Sequence, residues 1–203
     1  MTRIKFCGIT RLDDVQWAAS LGVDAIGFVM TRKSKRFIDP AAAALLRDAV
    51  PPYVTTVALV MDDAPAYIDE VLRVLRPDML QFHGEERDEE CATYGVRYTK
   101  AIAMGEGAAA LARLHHFPRA SGLLLDGHGL GEQGGSGQRF DWSLMPKDLA
   151  QPLILAGGLD ADNVAEAIRV AQPWAVDVSS GIESSPGIKD RAKMERFISA
   201  VRR

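Results

Sequence analysis

Short apolar runs of strand length alternate with longer segments of helical periodicity about eight times along this chain. The strand candidates are Ile4–Cys7, Ala25–Met30, Thr55–Val60, Met79–Phe82, Tyr98–Ile102, Gly122–Leu125, Leu153–Ala156 and Val176–Ser179. Between them the spacing predicts helices over Arg11–Leu21, Pro40–Ala49, Ala64–Leu75, Arg87–Tyr94, Gly107–His116, Ser143–Leu149, Ala161–Ala171 and Asp190–Arg202. Several carry start and stop signals. Asp39 precedes Pro40 as an N-cap with proline at the first helical position, Gly22 and Gly95 close two helices, and Asp160 precedes another. Strict alternation of strand and helix argues for a parallel sheet covered by helices. Eight units of about 25 residues fit an α/β fold of the single-domain (β/α)8 TIM-barrel type over residues 1–203, with a doubly wound open sheet as the alternative.

Composition narrows the partners. The chain has 203 residues, 47% hydrophobic and 25% charged, with a net charge of −3. That is ordinary globular make-up without the basic footprint that nucleic acid or an anionic membrane requires. An anion must therefore be gripped locally. No apolar run approaches the roughly 20 residues of a membrane span, and no signal-peptide region precedes the first strand. Cys7 and Cys91 are too few for a disulfide framework, so reduced thiols and a cytoplasmic location are expected. No zinc-ligand spacing is visible.

In a barrel the chemistry sits at the C-terminal strand ends. There the chain places Cys7, the loop Thr31–Asp39, His83, Asp126 and two small-residue turns, Ala156-Gly157-Gly158 and Ser179-Ser180-Gly181. Paired turns of this kind after the last two strands form a phosphate grip, because glycine lets backbone N–H groups approach an anion closely. Taken singly, each is also an ordinary strand-to-helix turn. Cys7 reads either as a base or nucleophile with a lowered pKa or as a small buried hydrophobe. Asp126 is either a general acid whose pKa rises at a desolvated rim or a loop anchor. Arg36 either pairs with a substrate carboxylate through two hydrogen bonds or is a solvated loop charge. His83 is substrate-facing or structural. Alternation places Lys5 and Cys7 on the inner face of the first strand and Asp177 inward on the last, so Lys5 and Asp177 are expected to pair.

The stretch from Gly127 to Gly137 is glycine-dense and reads as a lid. Gly129, Gly131 and Gly134 match G-x-G-x-x-G, but no helix opens at the last glycine and no acid ends the next strand, so a dinucleotide site is rejected. A P-loop is excluded because no Gly-Lys-Ser/Thr follows.

Taken in order, Lys5-Phe6-Cys7-Gly8-Ile9-Thr10, Ser34-Lys35-Arg36, Gln81-Phe82-His83-Gly84, Leu124-Leu125-Asp126, Phe140-Asp141-Trp142, Leu155-Ala156-Gly157-Gly158-Leu159 and Val176-Asp177-Val178-Ser179-Ser180-Gly181 closely resemble the phosphoribosylanthranilate isomerase family. Departures are Phe6 and Phe82 in place of aliphatic residues, Ser136 in place of threonine, and an extended segment from Gly127 to Gln133. The resemblance implies the isomerisation of N-(5-phosphoribosyl)anthranilate to a 1-deoxyribulose phosphate by an Amadori rearrangement in tryptophan biosynthesis. It implies Cys7 as general base and Asp126 as general acid, with no metal or organic cofactor. Arg36 would hold the anthranilate carboxylate, and Gly157, Gly158, Ser180 and Gly181 the phosphate, with His83 also at the substrate. The protein would act as a monomer or homodimer on a small molecule, without nucleic acid or membrane. The rival readings are a related histidine-pathway sugar-phosphate isomerase and a binding barrel that has lost turnover. The first would bring a second phosphate site and an aspartate in place of Cys7, and neither is evident.

Overall fold

Eight parallel strands close into a barrel in chain order: β1 (Arg3–Cys7), β2 (Ala25–Val29), β3 (Thr55–Val60), β4 (Met79–Phe82), β5 (Tyr98–Ala103), β6 (Gly122–Asp126), β7 (Leu153–Leu155) and β8 (Ala175–Val178). These are features of a computed structural model that describes residues 1–128 and 139–203. Closure is made at β1, which pairs Cys7 with Gly27 of β2 on one side and Lys5 with Asp177 of β8 on the other. The open doubly wound sheet is thereby excluded, since such a sheet leaves two edges.

Helices cover the outside: α1 (Leu12–Ser20), α2 (Pro40–Arg47), α3 (Pro65–Val74), α4 (Asp88–Ala92), α5 (Val164–Ala171) and α6 (Arg191–Val201). The Asp39 side chain accepts from the Ala41 amide at 2.9 Å, so the proline-led start of α2 is capped as expected. Two segments differ. Gly107–His116 winds as a 3₁₀ helix, opening on a glycine at φ 62° with no side-chain cap. The Ser143–Leu149 helix shrinks to one 3₁₀ turn, Trp142–Leu144, because Met145 is extended and Pro146 follows it. The sequence pattern also gave no sign of a small antiparallel hairpin, β9 (Glu183–Ser185) with β10 (Ile188–Lys189), between β8 and α6. Three- and two-residue strands are too short for periodicity to register.

Alternation along β1 divides the core into two layers. Ile4 and Phe6 point outward into the main apolar layer, where the Phe6 ring meets Phe197 of α6 edge-on at 6.0 Å between centroids. Lys5 and Cys7 point inward. The barrel interior holds two small apolar clusters, Cys7-Val29-Leu59 and Ala101-Leu124-Ala156, with buried Lys5, Gln81 and Asp177. Burial on this scale is tolerated only when polar groups find partners, and that requirement builds the site.

Candidate active site at the C-terminal rim

The strand ends enclose a cleft of about 700 Å³ whose wall includes Cys7, Arg36, His83, Asp126, Gly157, Gly158 and Ser180. Seven of the eight site residues expected from sequence thus converge on one cavity. The eighth, Gly181, is not in its wall. It packs behind it, where a Cβ would overlap the Leu159 carbonyl, so this glycine is required by the close approach of the turns after β7 and β8.

On the β8–β1–β2 side the buried cations Lys5, Arg36 and Lys189 each have an anion. Lys5 Nζ meets Asp177 Oδ2 at 2.9 Å, the pair anticipated from strand alternation. Burial works against the Lys5 ammonium, but Asp177 and Cys7 outweigh it and raise its pKa. Gly27 of β2 makes room for this arrangement: a Cβ there would lie 2.9 Å from Cys7 Sγ and 3.2 Å from Lys5 Nζ. Arg36 is gripped from below by Glu183, with Nε to Oε1 at 2.9 Å and Nη2 to Oε2 at 2.8 Å. Glu183 comes from the unanticipated β9 and also accepts from Lys189 Nζ of β10 at 2.8 Å. One edge of the guanidinium is therefore occupied within the protein, so Arg36 is not a solvated loop charge. Lys189 Nζ further reaches Ser179 O at 3.2 Å, and Ser179 Oγ donates to the Cys7 carbonyl at 3.0 Å, tying the end of β8 to the end of β1.

Burial pushes the Cys7 thiol above its ordinary value, with the Lys5 ammonium acting in the opposite direction and Asp177 adding to the rise. The expected lowering is thus not present in the free site: the cation beside the sulfur is already neutralised by Asp177.

Across the cleft, Asp126 ends β6 between two imidazoles. His83 Nε2 lies 3.6 Å from Oδ2 and His128 Nδ1 lies 3.3 Å from Oδ1. The rings stack at 4.8 Å with 22° between planes. Gln81, two residues before His83 and inward like it, contacts His83 Nδ1 through its amide at 3.2 Å. Burial lowers the pKa of His83 to about 4, with Asp126 opposing and the positive groups around it assisting, so the imidazole is neutral at neutral pH. For Asp126 the burial that would raise its pKa is outweighed by its contacts with His128 and His83 on either side. Its pKa is lowered, the reverse of the sequence expectation. His128 was missed in the sequence, although its position two residues after Asp126 carried the signal.

The turn after β7 has Gly157 at φ 85° and Gly158 at φ 61°, conformations that favour glycine. It is held from behind by Asn163 Nδ2, which donates to the Gly158 carbonyl at 2.9 Å. Ser180 opens a 3₁₀ turn, Ser180–Ile182, beside it. Gly157, Gly158 and Ser180 from the two turns line the same cavity. The segment expected to act as a lid, with Ser136 and the rejected G-x-G-x-x-G match, falls mostly at 129–138, outside the described residues.

A (β/α)8 barrel whose C-terminal rim gathers glycine turns, a thiol and a carboxylate around one cleft defines the general class: a barrel enzyme acting on a small molecule. The particular family follows from comparison. The family described as N-(5'phosphoribosyl)anthranilate (PRA) isomerase matches residues 4–200, and the chain belongs to it. It is 52% identical over 201 residues to the N-(5'-phosphoribosyl)anthranilate isomerase of Thiobacillus denitrificans, covering 98% of each chain. Among solved structures it resembles phosphoribosyl anthranilate isomerase from Thermotoga maritima, with a TM-score of 0.92 at 38% identity over 100% of this chain and 99% of that one. Another such enzyme, solved with reduced 1-(o-carboxyphenylamino)-1-deoxyribulose 5-phosphate, matches with a TM-score of 0.89 at 35% identity over 100% of this chain and 99% of that one. No helix among the described residues is long and apolar enough to cross a membrane.

Proposed function

We propose that this chain, folded as one (β/α)8 domain, isomerises N-(5'-phosphoribosyl)anthranilate to 1-(2-carboxyphenylamino)-1-deoxyribulose 5-phosphate in the cytoplasm, as a step of tryptophan biosynthesis. The observation that carries this reading is the convergence of Cys7, Asp126, Arg36 and the Gly157-Gly158 and Ser180 turns on one cleft. The substrate phosphate sits in the two turns. The anthranilate carboxylate meets the guanidinium edge of Arg36 that Glu183 leaves open. With both ends held, binding energy remote from the reacting carbons orients C1′ and C2′ between the thiol and the carboxyl.

Asp126 donates a proton to the ribose ring oxygen as the C1′–O bond breaks and the amine lone pair forms a C1′=N Schiff base. Cys7 as thiolate then removes the C2′ proton; those electrons form C1′=C2′ and return the pair to nitrogen. The enolamine tautomerises to the ketone, losing its hydroxyl proton and gaining one at C1′. Atoms and charge balance without an oxidant or a metal.

Directions of the shifts give this scheme a specific resting state. The empty site holds a thiol at Cys7 and a carboxylate at Asp126, whereas turnover starts from a thiolate and a carboxylic acid. The two states differ by one proton moved across the cleft, at constant net charge. His83, neutral, positions the Asp126 carboxylate. The barrel acts as a monomer or homodimer.

A fluorescence assay with freshly made phosphoribosylanthranilate tests the reading, with Cys7→Ala as control. Turnover abolished by Cys7→Ala is expected. Wild-type protein that binds a product analogue yet shows no turnover would instead identify a binding barrel, and turnover retained in Cys7→Ala would remove the assigned base.

A further inference from the structure

The β4–β6 side of the rim supplies the proposed acid and also carries His128, which the proposed isomerisation leaves unused. Among the described residues, His83, Asp126 and His128 bring one donor atom each to within 4.8 Å of one another. Both imidazole nitrogens that face Asp126, His83 Nε2 and His128 Nδ1, are buried and lack a hydrogen-bond partner. The side chains are only 6% and 4% exposed. Two orphaned nitrogens aimed at one carboxylate in a desolvated corner are costly for a structure with nothing else to place there.

We propose that His83, Asp126 and His128 form a chelating site for a divalent transition-metal ion of the zinc type, and that ion and substrate exclude one another at this rim. Metal bonds of about 2.0–2.1 Å at tetrahedral angles put neighbouring donor atoms roughly 3.4 Å apart. His83 Nε2 lies 3.6 Å from Asp126 Oδ2 and His128 Nδ1 3.3 Å from Oδ1, the two oxygens of one carboxylate, and one donor from each residue falls within 4.8 Å of the others, so closing on an ion draws the three together. The two rings lie stacked with 22° between their planes, side by side at the carboxylate. Two imidazoles with one carboxylate and an open fourth position suit zinc, whereas magnesium and calcium require oxygen cages. Gln81 supplies the outer partner: turned about its terminal torsion, its carbonyl accepts from His83 Nδ1–H at the observed 3.2 Å and fixes the Nε2 lone pair on the ion. Sequence spacing hid this set, because Asp126 and His128 stand at the end of β6 whereas His83 follows β4, 43 residues before Asp126.

The ion would occupy the carboxylate assigned as the acid, so the site is inhibitory. Exclusion of substrate rests on the reading in the preceding section, while binding of the ion does not. The full chain, freed of metal, is titrated with ZnCl2 by calorimetry and with CoCl2 by visible absorption. The expected result is one ion per chain, cobalt d–d bands of four-coordinate intensity, and no near-ultraviolet sulfur charge-transfer band. His128→Ala and Asp126→Asn are each expected to weaken Zn2+ binding by more than about tenfold, the lower end of what even outer partners are worth. Cys7→Ser and His116→Ala are expected to leave it unchanged. The proposal is overturned by absence of stoichiometric binding, by a sulfur charge-transfer band, or by affinity that follows Cys7 or His116 instead of His128. Tight Zn2+ binding through these ligands without competition against the deoxyribulose phosphate product upholds the metal site and overturns the exclusion clause, which locates the failure in the functional reading.

Discussion

The two halves of the rim solve the problem of buried charge in opposite ways. Around β8, β1 and β2 the buried cations are saturated, with Lys5 on Asp177, Arg36 on Glu183, and Lys189 on Glu183 and Ser179, and only Asp177 Oδ1 is left there without a partner. Around β4 and β6 the polar groups are close but incompletely bonded, with Asp126 between two imidazoles whose facing nitrogens lack partners. Saturation gives a rigid half suited to holding a substrate, since its cations are oriented before anything binds. The unsaturated half keeps bonding capacity in reserve for a group that arrives later. The lesson is that preorganisation and readiness to react are distributed to different strands of one barrel.

The largest predicted effects come from removing the two groups that face each other across this divide. Cys7→Ala and Asp126→Asn are each expected to lower kcat by about 10²–10⁴-fold, the usual range for a lost acid or base, while a product analogue still binds. A variant that lost binding and kcat together would show that the saturated half depends on them, which the comparison denies. The next effect belongs to the saturated half alone. Lys5→Met leaves Asp177 buried without its cation and is expected to cost about 3–5 kcal/mol in urea unfolding, whereas Lys5→Met with Asp177→Leu recovers much of the loss. A neutral single variant would mean that the pair contributes no net electrostatic stability.

The saturated half was also the more legible in sequence, but only in part. Alternation in Lys5-Phe6-Cys7 and in Val176-Asp177-Val178 is a local period of two, so the inward pair Lys5–Asp177 followed once the barrel was assumed to close. All eight strands were visible for the same reason, with ends displaced by about one residue. Glu183 and Lys189 were not visible, because the hairpin that carries them is too short to show a period, and so the occupied edge of Arg36 was unforeseen. On the other half, Asp126 and His83 were legible as polar residues ending apolar runs. Their mutual geometry was not, because it depends on which strand ends face each other across the barrel. The pKa directions failed largely for that reason: Asp177, which spends Lys5's charge, and His83, which joins the sequence-near His128 in lowering Asp126, are tertiary neighbours.

Smaller effects sharpen the contrast through pH. His83 is held neutral with a folded pKa of about 4 against an ordinary 6.5. Between those values the unfolded chain binds a proton that the folded chain refuses, so stability rises with pH across that window and is lost as pH falls through it. The full shift corresponds to about 3 kcal/mol. Urea midpoints at pH 7 and pH 4.5 should therefore fall further for wild type than for His83→Gln, and equal slopes would show that the unsaturated half does not resist protonation. For kcat/KM the shifts move both limbs outward: rates should stay level from about pH 5 to pH 8, falling only where Asp126 protonates or Cys7 ionises. A limb near pH 7 would locate an activated thiol that the buried, Lys5-paired arrangement does not provide.

The smallest effect concerns the edge of Arg36 that faces the cleft. Lysine keeps the charge but has no second edge, so it cannot serve Glu183 and a substrate carboxylate together in the two-hydrogen-bond manner. Arg36→Lys is expected to raise KM for phosphoribosylanthranilate by about tenfold, roughly 1.4 kcal/mol, with kcat changed far less. Because Glu183 also binds Lys189, the lysine variant should remain folded, and its melting temperature serves as the control. If KM were unchanged, the guanidinium would be wholly committed to Glu183 and the carboxylate would have to be held elsewhere. A fall in kcat matching the rise in KM would instead mean that this contact strengthens in the transition state, so that the saturated half also takes part in the chemistry.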